Sequence, residues 1–149
     1  MKSNIVNNKR FNIYMCLTIV WILVIFSFSM QSGEESHEVS GGIVSQLVEV
    51  LFPQGFMYVE QLEFFIRRMA HFTEYFILAV LVLQMLKQTT CPKLFIVCMF
   101  ICVFVASCDE TIQLFSGGRS GRITDVMWDS VGACCGIVGR LRMRCRRRI

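Results

Sequence analysis

Hydrophobic positions in this chain fall into four blocks separated by polar joints. The first, FNIYMCLTIVWILVIFSFSM at residues 11–30, carries no charge and matches the roughly 20 residues needed to cross a bilayer as a helix. The second covers residues 70–86, the third is LFIVCMFICVFVASC at 94–108, and the fourth is TDVMWDSVGACCGIVG at 124–139. The third is rich in β-branched and aromatic residues, which favour strands in water, but it is too long and too apolar for an ordinary strand. The fourth is weaker, because Asp125 and Asp129 lie inside it. The pattern predicts an all-α membrane protein with four transmembrane helices at about residues 11–30, 70–86, 94–108 and 124–139. A cleavable signal peptide, with Ser27 and Ser29 before the cut, competes for the first block. The block exceeds the usual apolar core of about 7–15 residues, so an uncleaved anchor is expected.

Between the first two blocks, residues 31–69 form the only sizeable loop. It opens on the polar, turn-rich QSGEESHEVSGG. Ile43, Val44, Leu47, Val48, Leu51 and Phe52 then recur at helical spacing until Pro53 and Gly55 interrupt them. Tyr58, Val59, Leu62, Phe65, Ile66 and Met69 resume the pattern. An amphipathic, partly helical outer loop is expected, lying in the membrane interface or over the mouth of the bundle.

Composition and charge sharpen this picture. The chain has 149 residues, 54% of them hydrophobic, far too apolar for the surface of a soluble domain of that size. An even number of crossings places eleven of the 15 basic residues on one side: Lys2, Lys9, Arg10, Lys87, Lys93 and the six arginines of residues 140–149. The positive-inside rule then makes residues 1–10 and the basic tail 140–149 cytoplasmic, flanking a membrane domain at 11–139. The tail also suits anionic lipid. A nucleic-acid role would need a soluble basic domain, which the pattern does not contain. None of the eight cysteines forms a CxxC pair, so they read as small hydrophobes rather than a metal or disulfide framework.

The candidate chemistry sits at the other, outer side. Arg67, His71 and Glu74 share one helix face, with Arg68 beside them. The third block ends in CDETIQ, with Asp109 and Gln113 on one face and Glu110 adjacent. Arg119 and Arg122 follow in a glycine-rich loop. Asp125, Asp129, Gly132 and Gly136 form one stripe of the fourth block, and the two glycines make a GxxxG pair suited to close helix packing. Charges inside a span are costly and mark functional sites by default. Five carboxylates near four arginines and a histidine predict a mutually paired network, either an outward-facing site or a purely structural polar cap. His71, Glu74, Asp109 and Glu110 offer metal donors, but HxxE is not HExxH and no full ligand set has a recognised spacing. No metal and no cofactor is therefore expected.

In these motifs the chain resembles the VanZ-like family of small bacterial membrane proteins. The resemblance rests on the serine-rich SFSMQSGEES after the first span and on the signature of Arg68, His71, Phe72, Glu74 and Tyr75. It continues in Asp109, Glu110 and Gln113, and in Arg119, Gly121, Asp125, Asp129, Gly132 and Gly136. It implies a four-helix protein of the bacterial cytoplasmic membrane, in a family named for reduced susceptibility to the glycopeptide teicoplanin. The leading expectation is a non-enzymatic envelope protein whose outer polar cluster meets a cell-wall or lipid-linked precursor. The alternatives are an enzyme acting on a lipid-linked headgroup at the outer leaflet and, less favoured, a small transporter subunit.

Overall fold

The computed structural model describes residues 8–31, 38, 41, 42, 45, 46, 59–88, 93–117 and 122–146. Four helices carry the described chain: α1 Asn8–Ser29, α2 Val59–Leu86, α3 Leu94–Phe115 and α4 Ile123–Arg146. No strand occurs among the described residues. In a bilayer the backbone must satisfy its own hydrogen bonds, so the β-branched third block becomes α3 despite its strand propensity.

Three of these helices are long and apolar enough to cross a membrane: Asn8–Ser29, Gln61–Leu86 and Leu94–Phe115. The expectation of four such spans is corrected here. α4 falls short because its sequence, ITDVMWDSVGACCGIVGRLRMRCR, carries Asp125 and Asp129 near one end and four arginines near the other. The boundaries also shift. The amphipathic stretch before the second block continues into it as one helix of 28 residues. At 1.5 Å per residue α2 is about 42 Å long, beyond the roughly 30 Å of a hydrocarbon core. α3 runs past residue 108 to Phe115, so the acidic motif is helical. α4 continues through much of the basic tail to Arg146. Most of the outer loop lies outside the described residues; Glu38, Gly41, Gly42, Ser45 and Gln46 within it are helical.

Successive helices run antiparallel. Ser116, just past α3, donates its hydroxyl to the Ser29 carbonyl at the end of α1, at 2.8 Å. Trp21 Nε1 of α1 donates to the Glu74 carbonyl of α2 at 3.0 Å. Cys98 Sγ, early in α3, reaches the Ala79 carbonyl at 3.4 Å. The core is a seam of Ile25, Leu78, Val82, Cys102, Ala106 and Ile137, with further small and apolar neighbours. Ile19, Leu23, Ile96, Phe100 and Phe104 point outward, as expected of a lipid-facing surface.

α4 lies against α2 at backbone distance. A Cβ added to Gly132 would stand 2.5 Å from the Phe72 carbonyl oxygen, and one on Gly136 would stand 2.6 Å from that of Phe76. This contact fixes the register of α4 on α2 and, with it, the position of Asp129 relative to His71.

Candidate functional site

The polar side chains collect at one end of the bundle, where α1 and α3 finish and α4 begins against the first half of α2. They form two tiers. In the outer tier Arg67 Nη2 pairs with Glu63 Oε1 at 3.2 Å, one turn back on its own helix. Arg68 Nη2 reaches across to Asp125 Oδ1 of α4, also at 3.2 Å. The Arg68 guanidinium lies 4.4 Å from the ring centre of Phe64 and 5.6 Å from that of Trp128, a cation–π arrangement. Both members of the Arg68–Asp125 pair are about a third exposed, with side-chain values of 27% and 32%. Such a pair contributes about 1 kcal/mol or less.

The inner tier is buried. Asp109, Glu110, Gln113, Asp129 and Ser29 are all buried, as is Tyr75. Ser29, the last residue of α1, donates its hydroxyl to Asp109 Oδ1. Gln113 lies one turn beyond Asp109 on the same face of α3 and donates Nε2 to Asp109 Oδ2 at 3.2 Å. Glu110 Oε2 accepts the backbone N–H of Arg122 at 2.7 Å, which ties the start of α4 to α3. His71 Nδ1 lies 3.5 Å from Glu74 Oε2.

Asp129 is different. It is 1% exposed, and neither carboxylate oxygen has a hydrogen-bond partner among the described residues. It lies six residues into α4, about 9 Å from the start of the helix. One donor atom from each of His71, Asp109 and Asp129 lies within 4.8 Å of the others. α2, α3 and α4 thus each send one side chain to a common point.

The structure brings together Arg67, Arg68, His71, Glu74, Asp109, Glu110, Gln113, Asp125 and Asp129 at this end. Arg119 lies outside the described residues. Arg122 takes part through its backbone amide, while its side chain is exposed. Two arginines of α2 have acid partners at this end. Arg67 finds its acid on its own helix and Arg68 takes Asp125, so neither reaches Asp129. Sequence reasoning missed Ser29 as a partner of Asp109. Its one signal was a hydroxyl ending an apolar run on the side where the acidic motif also ends. Tyr75 was visible only through the family signature; its hydroxyl is buried without a hydrogen-bond partner among the described residues.

The order of these motifs along the chain is also the order in which the helices deliver them to the site. No curated protein and no solved structure matches the chain. The profile of the VanZ/LLP1 family does match, over residues 14–143. That region runs from the first turns of α1 to the last turns of α4 and includes every inner-tier residue, and the chain belongs to the VanZ/LLP1 family.

Proposed function

We propose that the chain is a four-pass protein of the bacterial cytoplasmic membrane that lowers susceptibility to glycopeptides of the teicoplanin type through an outward-facing polar site. In this reading α4 is the fourth crossing, held in the bilayer by its backbone contact with α2 rather than by its own apolarity. The eleven-to-four partition of basic residues supports cytoplasmic termini and an outer site. One observation carries the reading: three carboxylic acids, Asp109, Glu110 and Asp129, are buried together at a single end of the bundle. A bundle selected for stability alone does better with apolar packing there, because desolvating acids is costly. The site would meet a cell-wall or lipid-linked precursor at the outer leaflet.

The second reading, an enzyme acting on a lipid-linked headgroup, is favoured by Asp129, whose oxygens are not committed to a described hydrogen bond. The test is expression of Glu74→Gln, Asp109→Asn and Asp125→Asn variants in a susceptible host, with teicoplanin susceptibility and membrane protein level measured together. Loss of protection at normal protein level supports a site. Protection that tracks protein level in every variant makes the cluster a structural cap. No protection from the unmutated chain removes the glycopeptide assignment.

A further inference from the structure

We infer that His71, Asp109 and Asp129 are ligands of one divalent metal ion, bound between α2, α3 and α4. The inference stands on the geometry of these side chains and does not depend on the glycopeptide reading. Their donor atoms fall within 4.8 Å of one another. Ligands on one ion with bonds of about 2.1 Å stand about 3.4 Å apart in a tetrahedral set, so a small inward movement of three side chains closes the site.

The independent observation is Asp129. A carboxylate at 1% exposure needs a positive charge or a set of hydrogen-bond donors. Its oxygens have no donor among the described residues, while the described arginines nearby, Arg67 and Arg68, are engaged by Glu63 and Asp125. A cation between Asp129, Asp109 and His71 answers that need. Tyr75 stands one turn beyond His71 on the same face of α2. Its hydroxyl, likewise without a described hydrogen-bond partner, lies within electrostatic reach of Asp109 and Asp129.

The surroundings match a metal site in two further respects. Ligating carboxylates are held by outer hydrogen bonds, and Asp109 is held by Ser29 and Gln113. A ligating imidazole turns its other nitrogen to a carboxylate; His71 Nδ1 stands 3.5 Å from Glu74 Oε2, and a small movement would make that hydrogen bond. Three protein ligands leave coordination positions open, the pattern of catalytic rather than structural sites. One imidazole and two carboxylates form a mixed N/O set without thiolate, suited to Mn²⁺, Fe²⁺ or Zn²⁺.

Mn²⁺ is the discriminating probe, because the chain's eight cysteines attract Zn²⁺ adventitiously, whereas thiolates do not select Mn²⁺. Full-length protein in lipid nanodiscs is stripped with chelator and titrated with Mn²⁺. Free ion is followed by electron paramagnetic resonance, and thermal unfolding is followed in parallel. The expected result is one saturable ion per chain and a melting temperature that rises with Mn²⁺. Affinity should fall at least about tenfold in His71→Gln and in Asp129→Asn. His71→Gln and Asp109→Asn give the same reading should Asp129→Asn fail to insert. Absence of a saturable ion, or binding unchanged in these variants, overturns the site. So does an Arg119→Gln variant that is as destabilised as Asp129→Asn in protein that takes up no Mn²⁺, since Arg119 would then be the counter-charge of Asp129.

Discussion

Adding a single methyl group at Gly132 or at Gly139, both in α4, should have opposite effects. At Gly132 the new carbon would stand 2.5 Å from the Phe72 carbonyl oxygen, where ordinary contact begins at 3.4 Å. The deficit of about 0.9 Å falls on helix backbone, which cannot rotate aside as a side chain would, so α4 must move off α2. Overpacking of this kind costs about 1–3 kcal/mol, and part of the interhelical dispersion contact is lost as well. Gly139 has nothing within 4 Å of an added Cβ. There, alanine only improves helix propensity, by about 1 kcal/mol at most. Gly132→Ala should therefore lower the melting temperature in detergent, and Gly139→Ala should hold or raise it. Because Gly132 lies one turn beyond Asp129, the displacement in Gly132→Ala also carries Asp129 away from His71, so loss of site function should accompany the loss of stability. Equal melting temperatures for the two variants would refute the close approach of α4 to α2.

Other perturbations grade the two tiers of the site. Ser29→Ala removes the hydroxyl donor to Asp109 in a buried setting and should cost about 1–3 kcal/mol in thermal unfolding; the effect should largely vanish when measured in an Asp109→Asn background. Arg68→Gln breaks a pair whose members are 27% and 32% exposed and should cost less than Ser29→Ala, about 1 kcal/mol or below, by the same assay. Trp21→Phe deletes the indole N–H bond to the Glu74 carbonyl, 3.0 Å long, at a cost of about 1 kcal/mol, read by chemical unfolding in detergent. For topology, a cysteine at Ser36 in a background lacking the native thiols should react with an impermeant reagent from outside, and one at Ser3 should not; the reverse pattern would invert the orientation of the site.

The helices were legible wherever an apolar run was long enough to leave lipid as its only solvent, as in α1 and α3. They were less legible where an amphipathic stretch joined a span. Tyr58 to Met69 reads as an interfacial segment by pattern, yet nothing in it breaks a helix, and α2 runs through the junction. The fourth block reads as a span from its weaker apolar run and from the even-crossing partition of basic residues. Its charges lower its apolarity, and the property that matters, backbone contact with α2, belongs to two helices together. The convergence of His71, Asp109 and Asp129 follows from the alternation of helix direction, so the cluster could be located from the sequence. Which acid meets which base could not. Near-equal counts of the two signs suggest one network, but they do not reveal that Arg67 pairs with Glu63, four residues back on its own helix. Nothing in the sequence separates Ser29 from the serines around it; its contact with Asp109 depends on the packing of α3 beside α1.

The central claim is that Asp129 is buried for what it binds and not for what it stabilises. It is tested most directly by the melting temperature of Asp129→Asn against the unmutated chain, both in the same nanodiscs with excess chelator. An acid whose oxygens have no hydrogen-bond partner among the described residues costs desolvation energy that the neutral amide largely avoids, so the variant should melt at the same temperature as the parent or above it. A buried carboxylate committed to a structural ion pair behaves in the opposite way, since breaking such a pair from one side costs about 3–5 kcal/mol. A pronounced fall in the melting temperature of Asp129→Asn under chelation would contradict the account.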